Sequence, residues 1–281
     1  MPAAPFIEQA PAGVSGWAAC FAPADLPVLA ETASSLEAFR ANEDEVDARV
    51  LAELISADPL LTIKVLAHVA DLQRRRAAEG RGDTETVTAA LVLLGIGPFF
   101  RAFGPQPTVE EALADRPEAL DGFRAVLRRS HRAANFAIAF AVHRMDQDAA
   151  VIHEAALLHD FAELLLWVRA PSLALAIAAR QQDEPGLRSA AIQRELLHME
   201  LADLQQALML RWRLPELLVK ISDERHADSD QVRNVLIAIR VARHSSRGWD
   251  NAALPDDVAE VAALLHLGEA PTLNLLHDID A

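Results

Sequence analysis

Tyrosine is absent from the 281 residues, and aromatic side chains together make up only 5% of the chain. Strands draw on aromatic and β-branched residues, so a sheet-rich fold has little material here. The single cysteine, Cys20, excludes an intrachain disulfide and a thiolate cage for zinc. Its surroundings give no sign of a redox centre, and it reads as a small packing residue. No apolar run is long and charge-free enough to span a bilayer, and MPAAPFIEQAPAGVSGWAAC lacks the basic and compact apolar stretches of a signal peptide. The expectation is a cytoplasmic protein with no membrane partner. Cations are also scarce: 26 Lys and Arg face 41 Asp and Glu, a formal net charge of −15. Such a surface repels phosphate backbones and excludes general nucleic-acid binding. One local exception is Arg74, Arg75, Arg76 and Arg81 around Gly80 and Gly82, which reads as a solvated loop, with an anion or acidic-partner contact as the functional alternative.

Alanine and leucine dominate, hydrophobic residues reach 52% and charged residues 24%. That is enough for a sizeable helical core. Residues 1–24, broken by Pro2, Pro5, Pro11 and Pro23, predict an extended leader dispensable for folding. Helices are expected from about Pro27 to Ala41 and from Glu45 to Ala57, where Val46, Val50, Leu54 and Ala57 recur at helical spacing. Asp58-Pro59 restarts the chain as N-cap and first helical residue, leading into Leu60–Leu72. A short apolar helix, Thr86 to Leu94, closes at Gly95. Pro98, Pro105 and Pro107 mark a connection, and Pro117 opens a second half. In that half Ala133–Val142 is apolar on nearly every face, which predicts a buried central helix. Further helices are expected at about 149–159, 161–182, 188–211, 215–227, 230–246 and 255–266, giving a globular array with varied crossing angles.

The chemistry-bearing segment is EAALLHDFAELLL, in which an apolar helix runs into His159-Asp160. His131 lies 28 residues upstream, far enough for a turn and a returning helix. Two neutral imidazoles and one carboxylate could then meet around a divalent metal, which would acidify a water and polarise a phosphoryl oxygen. The dipeptide alone is weak: LLHDID at His277-Asp278 looks the same and reads as a decoy. His198 and His226 read as ordinary polar positions, and Trp167 and Trp212 as core anchors.

Six segments occur together in order: Leu26-Pro27, LAELISADPLLTIKVL, TETVTAALVLLG, SHRAANFAIAFA, AALLHD and WRLP at Trp212–Pro215. Over residues 25–245 the chain thereby resembles the HDOD domain, a regulatory relative of the HD metal-dependent phosphohydrolases. The resemblance implies an all-α, multi-helix HDOD-like array with an HD-like C-terminal half: one domain over 25–281, with halves 25–116 and 117–281. It also implies that His131, His159 and Asp160 occupy the first three metal-ligand positions of the HD superfamily. Several positions depart from the pattern. Ala162 and Glu163 replace a glycine and a lysine after the His-Asp, and Ala70-Asp71 replaces an Asn-Ser pair. Glu195 fits the family, whereas His198, Leu201 and Gln205 stand where glycine and histidine are usual, and Arg225-His226 where two histidines are.

The fourth ligand, an aspartate expected within NVLIAIRVARHSS, is missing. Val232, Leu236, Ile239 and Arg243 are spaced to share a face, which predicts Arg243 pointing inward to pair with Asp160. A cation there would repel a divalent metal. The sequence therefore predicts a non-catalytic bacterial signalling protein with a degenerate HD site (His131, His159, Asp160 and Arg243), no cofactor, and other signalling proteins as partners. The alternatives are a divergent phosphohydrolase with a metal on His131, His159 and Asp160, acting on a nucleotide or cyclic dinucleotide, and a sensor of a small nucleotide ligand.

Overall fold

The computed structural model describes residues 5–75, 84–184, 186–226 and 228–281. Their regular structure is helical apart from two isolated bridges, Val28 to Thr108 and Ser246 to Gly248. In chain order the helices are α1 Gly13–Ala19, α2 Ala30–Ala41, α3 Ala48–Ser56, α4 Pro59–Arg75, α5 Val87–Leu94, α6 Ile96–Ala102, α7 Val109–Ala112, α8 Pro117–His143 and α9 Ala149–Leu157. There follow α10 Phe161–Arg169, α11 Pro171–Asp183, α12 Ser189–Leu197, α13 Leu201–Arg211, α14 Glu216–Ile221, α15 Asp230–His244, α16 Leu254–Leu265 and α17 Glu269–Asp280. Short 3-10 turns sit at Pro23–Asp25, Glu43–Glu45 and Glu224–His226. None of these helices is by itself long and apolar enough to cross a membrane.

The chain forms two compact units. The first contains the chain up to Ala125 together with Asp160–Pro215; the second contains Val126–His159 and Glu216–Ala281. Each unit draws on discontinuous stretches of the chain.

In the first unit α3, α4 and α5 pack together. Leu51, Ala52 and Ile55 of α3 and Val87, Ala90 and Leu91 of α5 are buried, as one-sided helical spacing requires. Thr86 caps α5 by accepting from the Ala89 N–H, and Gly95 ends it at φ +82°, where a side chain would be strained. The proline-marked connection turns out to hold two helices. Pro98 falls in the first turn of α6, where its missing N–H costs nothing, and α7 is started by a capping box between Thr108 and Glu111. The helix expected over 161–182 is broken in two. Ala170, held off the helical region before Pro171, separates α10 from α11. The helix expected over 188–211 is likewise broken, at His198, which is left-handed at φ 60°. Trp167 and Trp212 are core residues, as expected. Trp212 lies 5.9 Å from Phe161, and Trp167 packs so closely on α8 that a Cβ on Gly122 would lie 2.4 Å from its ring.

The leader is not simply extended. Gly13–Ala19 is helical and packs on α13, Trp17 is fully buried, and Phe21 stacks beside it. The Ile7 N–H donates to the Arg169 carbonyl, and Arg116 lies over the Phe6 ring while pairing with Glu8. Pro5 and Pro11 precede the helix and Pro23 follows it, so none of these prolines interrupts it.

In the second unit α9 packs on α14 and α15, α15 on α16, and α16 on α17. The central segment Ala133–Val142 is the last part of the longer α8, with Phe136 and Phe140 fully buried. It is less enclosed than its composition suggested, because Asn135 and Val142 are exposed. Helix α17 was not anticipated from the sequence.

Candidate functional site

His131 sits half-buried in the middle of α8. It faces His153 of α9, whose imidazole is pushed below its usual pKa, first by burial and then by the charge of His131. His159 follows the C-cap of α9, and Asp160 is the N-cap residue of α10; both are half-buried. Asp160 makes no side-chain cap bond, and its carbonyl accepts from the N–H groups of Glu163 and Leu164. The boundary between the two units falls between His159 and Asp160. Among the described residues, no three His, Cys, Asp or Glu side chains are grouped to hold a metal ion.

Arg243 is exposed, which corrects its placement on the inward stripe. The buried face of α15 is centred on Asn234, Val235, Ala238, Val241 and Ala242, with Leu236 only at its edge. A position seven residues after Leu236 inherits that edge and, at the last turn, reaches solvent. Its charge there complements the helix C-terminus. The fully buried polar residue of this helix is Asn234.

Arg74 and Arg75 both pair with Asp71, one turn back on α4. These charge-assisted bonds, Arg74 first, hold the Asp71 carboxyl below the usual range. Arg76 and Arg81 lie outside the described residues. Arg225 and His226 are exposed and turn to Asp223 within their own loop.

A second polar cluster, in the first unit, explains two of the quoted motifs. Asp58 is fully buried and accepts from the N–H groups of Leu60 and Leu61 at 2.9 and 3.1 Å, capping α4. It also accepts from the Leu29 N–H at 2.8 Å and from the Thr32 hydroxyl. Beside it, Glu110 accepts from the Ala30 N–H at 2.9 Å. Carboxylates from α4 and α7 thus satisfy the free N–H groups that begin α2. Lys64 completes the cluster. It is 4% exposed and donates to the Leu26 carbonyl at 2.6 Å and to the Gln106 amide oxygen. The conjunction of Leu26-Pro27 with Asp58-Pro59 is therefore structural. The sequence reading missed Lys64, although a lysine inside LLTIKVL, one turn from Leu60 and Leu61, was its signal.

Burial lowers the Lys64 pKa to about 8, against the raising effect of the Asp58 and Asp25 charges. In the unfolded chain the amine titrates near 10.5, so between these values the folded state binds fewer protons than the unfolded one. Stability from this group therefore rises with pH across that window. The expected gain between pH 7 and pH 10, relative to Lys64→Met, is roughly 2–3 kcal/mol. Urea unfolding of both proteins at the two pH values measures it, and a difference that does not change with pH refutes it.

The chain belongs to the HDOD domain family, whose model matches residues 26–228. Among solved structures, the MmoQ response regulator of Methylococcus capsulatus str. Bath superimposes with a TM-score of 0.67 at 23% identity, covering 89% of this chain and 97% of that one. A virulence factor from Campylobacter jejuni subsp. jejuni superimposes with a TM-score of 0.60 at 19% identity, covering 91% and 90%. At these identities the likeness establishes the fold. No curated protein matches the chain.

Proposed function

We propose that this HDOD protein is a non-catalytic regulator that works through contacts with other signalling proteins. The observation that carries the reading is the buried face of α15. A metal-dependent phosphohydrolase of the HD type would need a carboxylate there, and this face carries apolar residues and Asn234. A neutral amide cannot balance a divalent cation as a carboxylate does. His131, His159 and Asp160 are then the remainder of a ligand set that has lost its fourth member, and Ala162 and Glu163 supply no cation for a phosphate. The fold shared with a protein named a response regulator supports a regulatory role.

The experiment is metal analysis of the purified protein together with a phosphodiesterase screen on nucleotides and cyclic dinucleotides, with manganese, iron or magnesium supplied. Substoichiometric metal and no turnover are expected. Stoichiometric metal that is lost on His159→Ala, together with turnover, would restore the hydrolase reading.

A further inference from the structure

Helix α17 lays a ring and a carboxylate on a cradle built by other elements of the second unit. Arg132 of α8 forks onto Asp280: Nε donates to Oδ1 at 2.6 Å and a terminal nitrogen to Oδ2 at 2.7 Å. The same guanidinium is held independently of α17. It donates to the Ala242 carbonyl at 3.0 Å and to the Ser245 hydroxyl at 2.8 Å, and lies 6.0 Å from the Phe136 ring centroid. Trp249 forms the other wall. Its indole N–H donates to Asp280 Oδ2 at 3.2 Å, and its edge-on contact with Phe136, at 6.4 Å, fixes its plane. The His277 ring lies on Trp249, centroid to centroid 4.4 Å with a 31° tilt.

Two features mark this as a ligand cradle and not merely the seat of a helix. The fork and the indole N–H converge on one anionic group, and the stacking face sits one helical turn away from it. That is a point for negative charge and a shelf for a planar ring, both built by residues outside α17. On helix α17 Thr272 and Leu276 are buried, while His277 and Asp278 are exposed.

We propose that Arg132, held in place by Ser245, and Trp249 form a binding site for a nucleoside monophosphate, which α17 occupies from within. His277 stands where the base stacks and Asp280 where the phosphate is held, and the turn of helix between them takes the place of the ribose. The phosphate, with more charge and one more oxygen than a carboxylate, engages the Arg132 fork and the Trp249 N–H together. Ligand and helix compete, so the nucleotide binds the fraction of molecules in which α17 is lifted, and binding releases the helix. The proposal does not depend on whether His131, His159 and Asp160 hold a metal.

The test uses the full chain with His277→Ala and Asp280→Asn combined, titrated calorimetrically with AMP and GMP in the presence of EDTA, and with inorganic phosphate and adenosine as the separate halves. Removing the internal occupant is expected to tighten binding of at least one of the two nucleotides about tenfold or more over wild type, with phosphate and adenosine each at least about tenfold weaker than that nucleotide. Adding Arg132→Gln should abolish the gain; if that variant does not fold, Trp249→Leu in the same background decides in its place. Equal or undetectable affinity of wild type and the double variant for both nucleotides overturns the proposal. So does phosphate alone binding as tightly as the better nucleotide, or a gain that survives Trp249→Leu. EDTA keeps this outcome separate from that of the phosphodiesterase screen.

Discussion

Asp58→Ala is expected to destabilise the protein by about 3–5 kcal/mol, the range for breaking a buried charged network by removing one partner. Burial pushes the Asp58 carboxyl up, opposed by donors from Leu29, Leu61, Thr32 and Leu60. Its removal leaves two N–H groups at the start of α4 and one at the start of α2 without their acceptor, inside a core that water does not reach. It also takes away the negative charge that helps keep the Lys64 ammonium, 4% exposed, in place. The loss of a surface cap alone costs only about 1 kcal/mol, so the size of the effect reports that one carboxylate serves two helices. Asp58→Asn keeps one acceptor oxygen and is expected to fall between wild type and alanine. Denaturant unfolding measures the series. An alanine variant within about 1 kcal/mol of wild type, at the level of an ordinary cap, would show that the two helix starts do not depend on Asp58.

The same residue shows how much of the molecule the sequence makes legible. Asp58-Pro59 is readable because N-capping is local: a side chain answers the N–H groups two and three residues on, and the spacing is written in the chain. Its third bond, to Leu29, joins positions 29 residues apart and has no local signature. Helix existence follows the same rule. Periodicity foretells α2 to α5, α15 and α16 closely and α14 only over the first half of its expected span, whereas α10 and α11 divide at Pro171, and α12 and α13 at His198, a left-handed residue that no proline or glycine announces. The candidate site is legible as residue types and not as geometry. His131, His159 and Asp160 could be named, but His153 facing His131 depends on how α8 and α9 cross. The Arg243 expectation failed because a four-position stripe cannot distinguish the centre of a buried face from its edge; Leu236 was at the edge. The His277-Asp278 dipeptide reads as a decoy in the sequence; in the structure the His277 ring lies on Trp249, while Arg132 meets Asp280.

Trp17→Ala should cost about 3–5 kcal/mol, the range for truncating a buried aromatic to alanine. The sequence expectation was the opposite, that residues 1–24 could be deleted with little effect on melting. Trp17 is fully buried, however, and α1 lies against α13. Its indole N–H donates to the Leu197 carbonyl at 2.9 Å. Leu197 is the last residue of α12, where carbonyls have no partner within the helix. The left-handed His198 turns the chain away just there, so Trp17 both fills volume and completes a helix end belonging to a distant part of the chain. The two contributions separate by substitution. Trp17→Phe retains most of the apolar surface and leaves the Leu197 carbonyl without its donor, for an expected loss of about 1–3 kcal/mol. Trp17→Ala adds the cavity. Deleting residues 1–22 should destabilise at least as much as Trp17→Ala, because it also removes the Glu8–Arg116 pair and the Ile7 bond to Arg169. Melting of the three variants, followed by circular dichroism, ranks them. A deletion that melts with wild type would mean that α1 is an appendage, and the order of alanine below phenylalanine is what its place in the core requires.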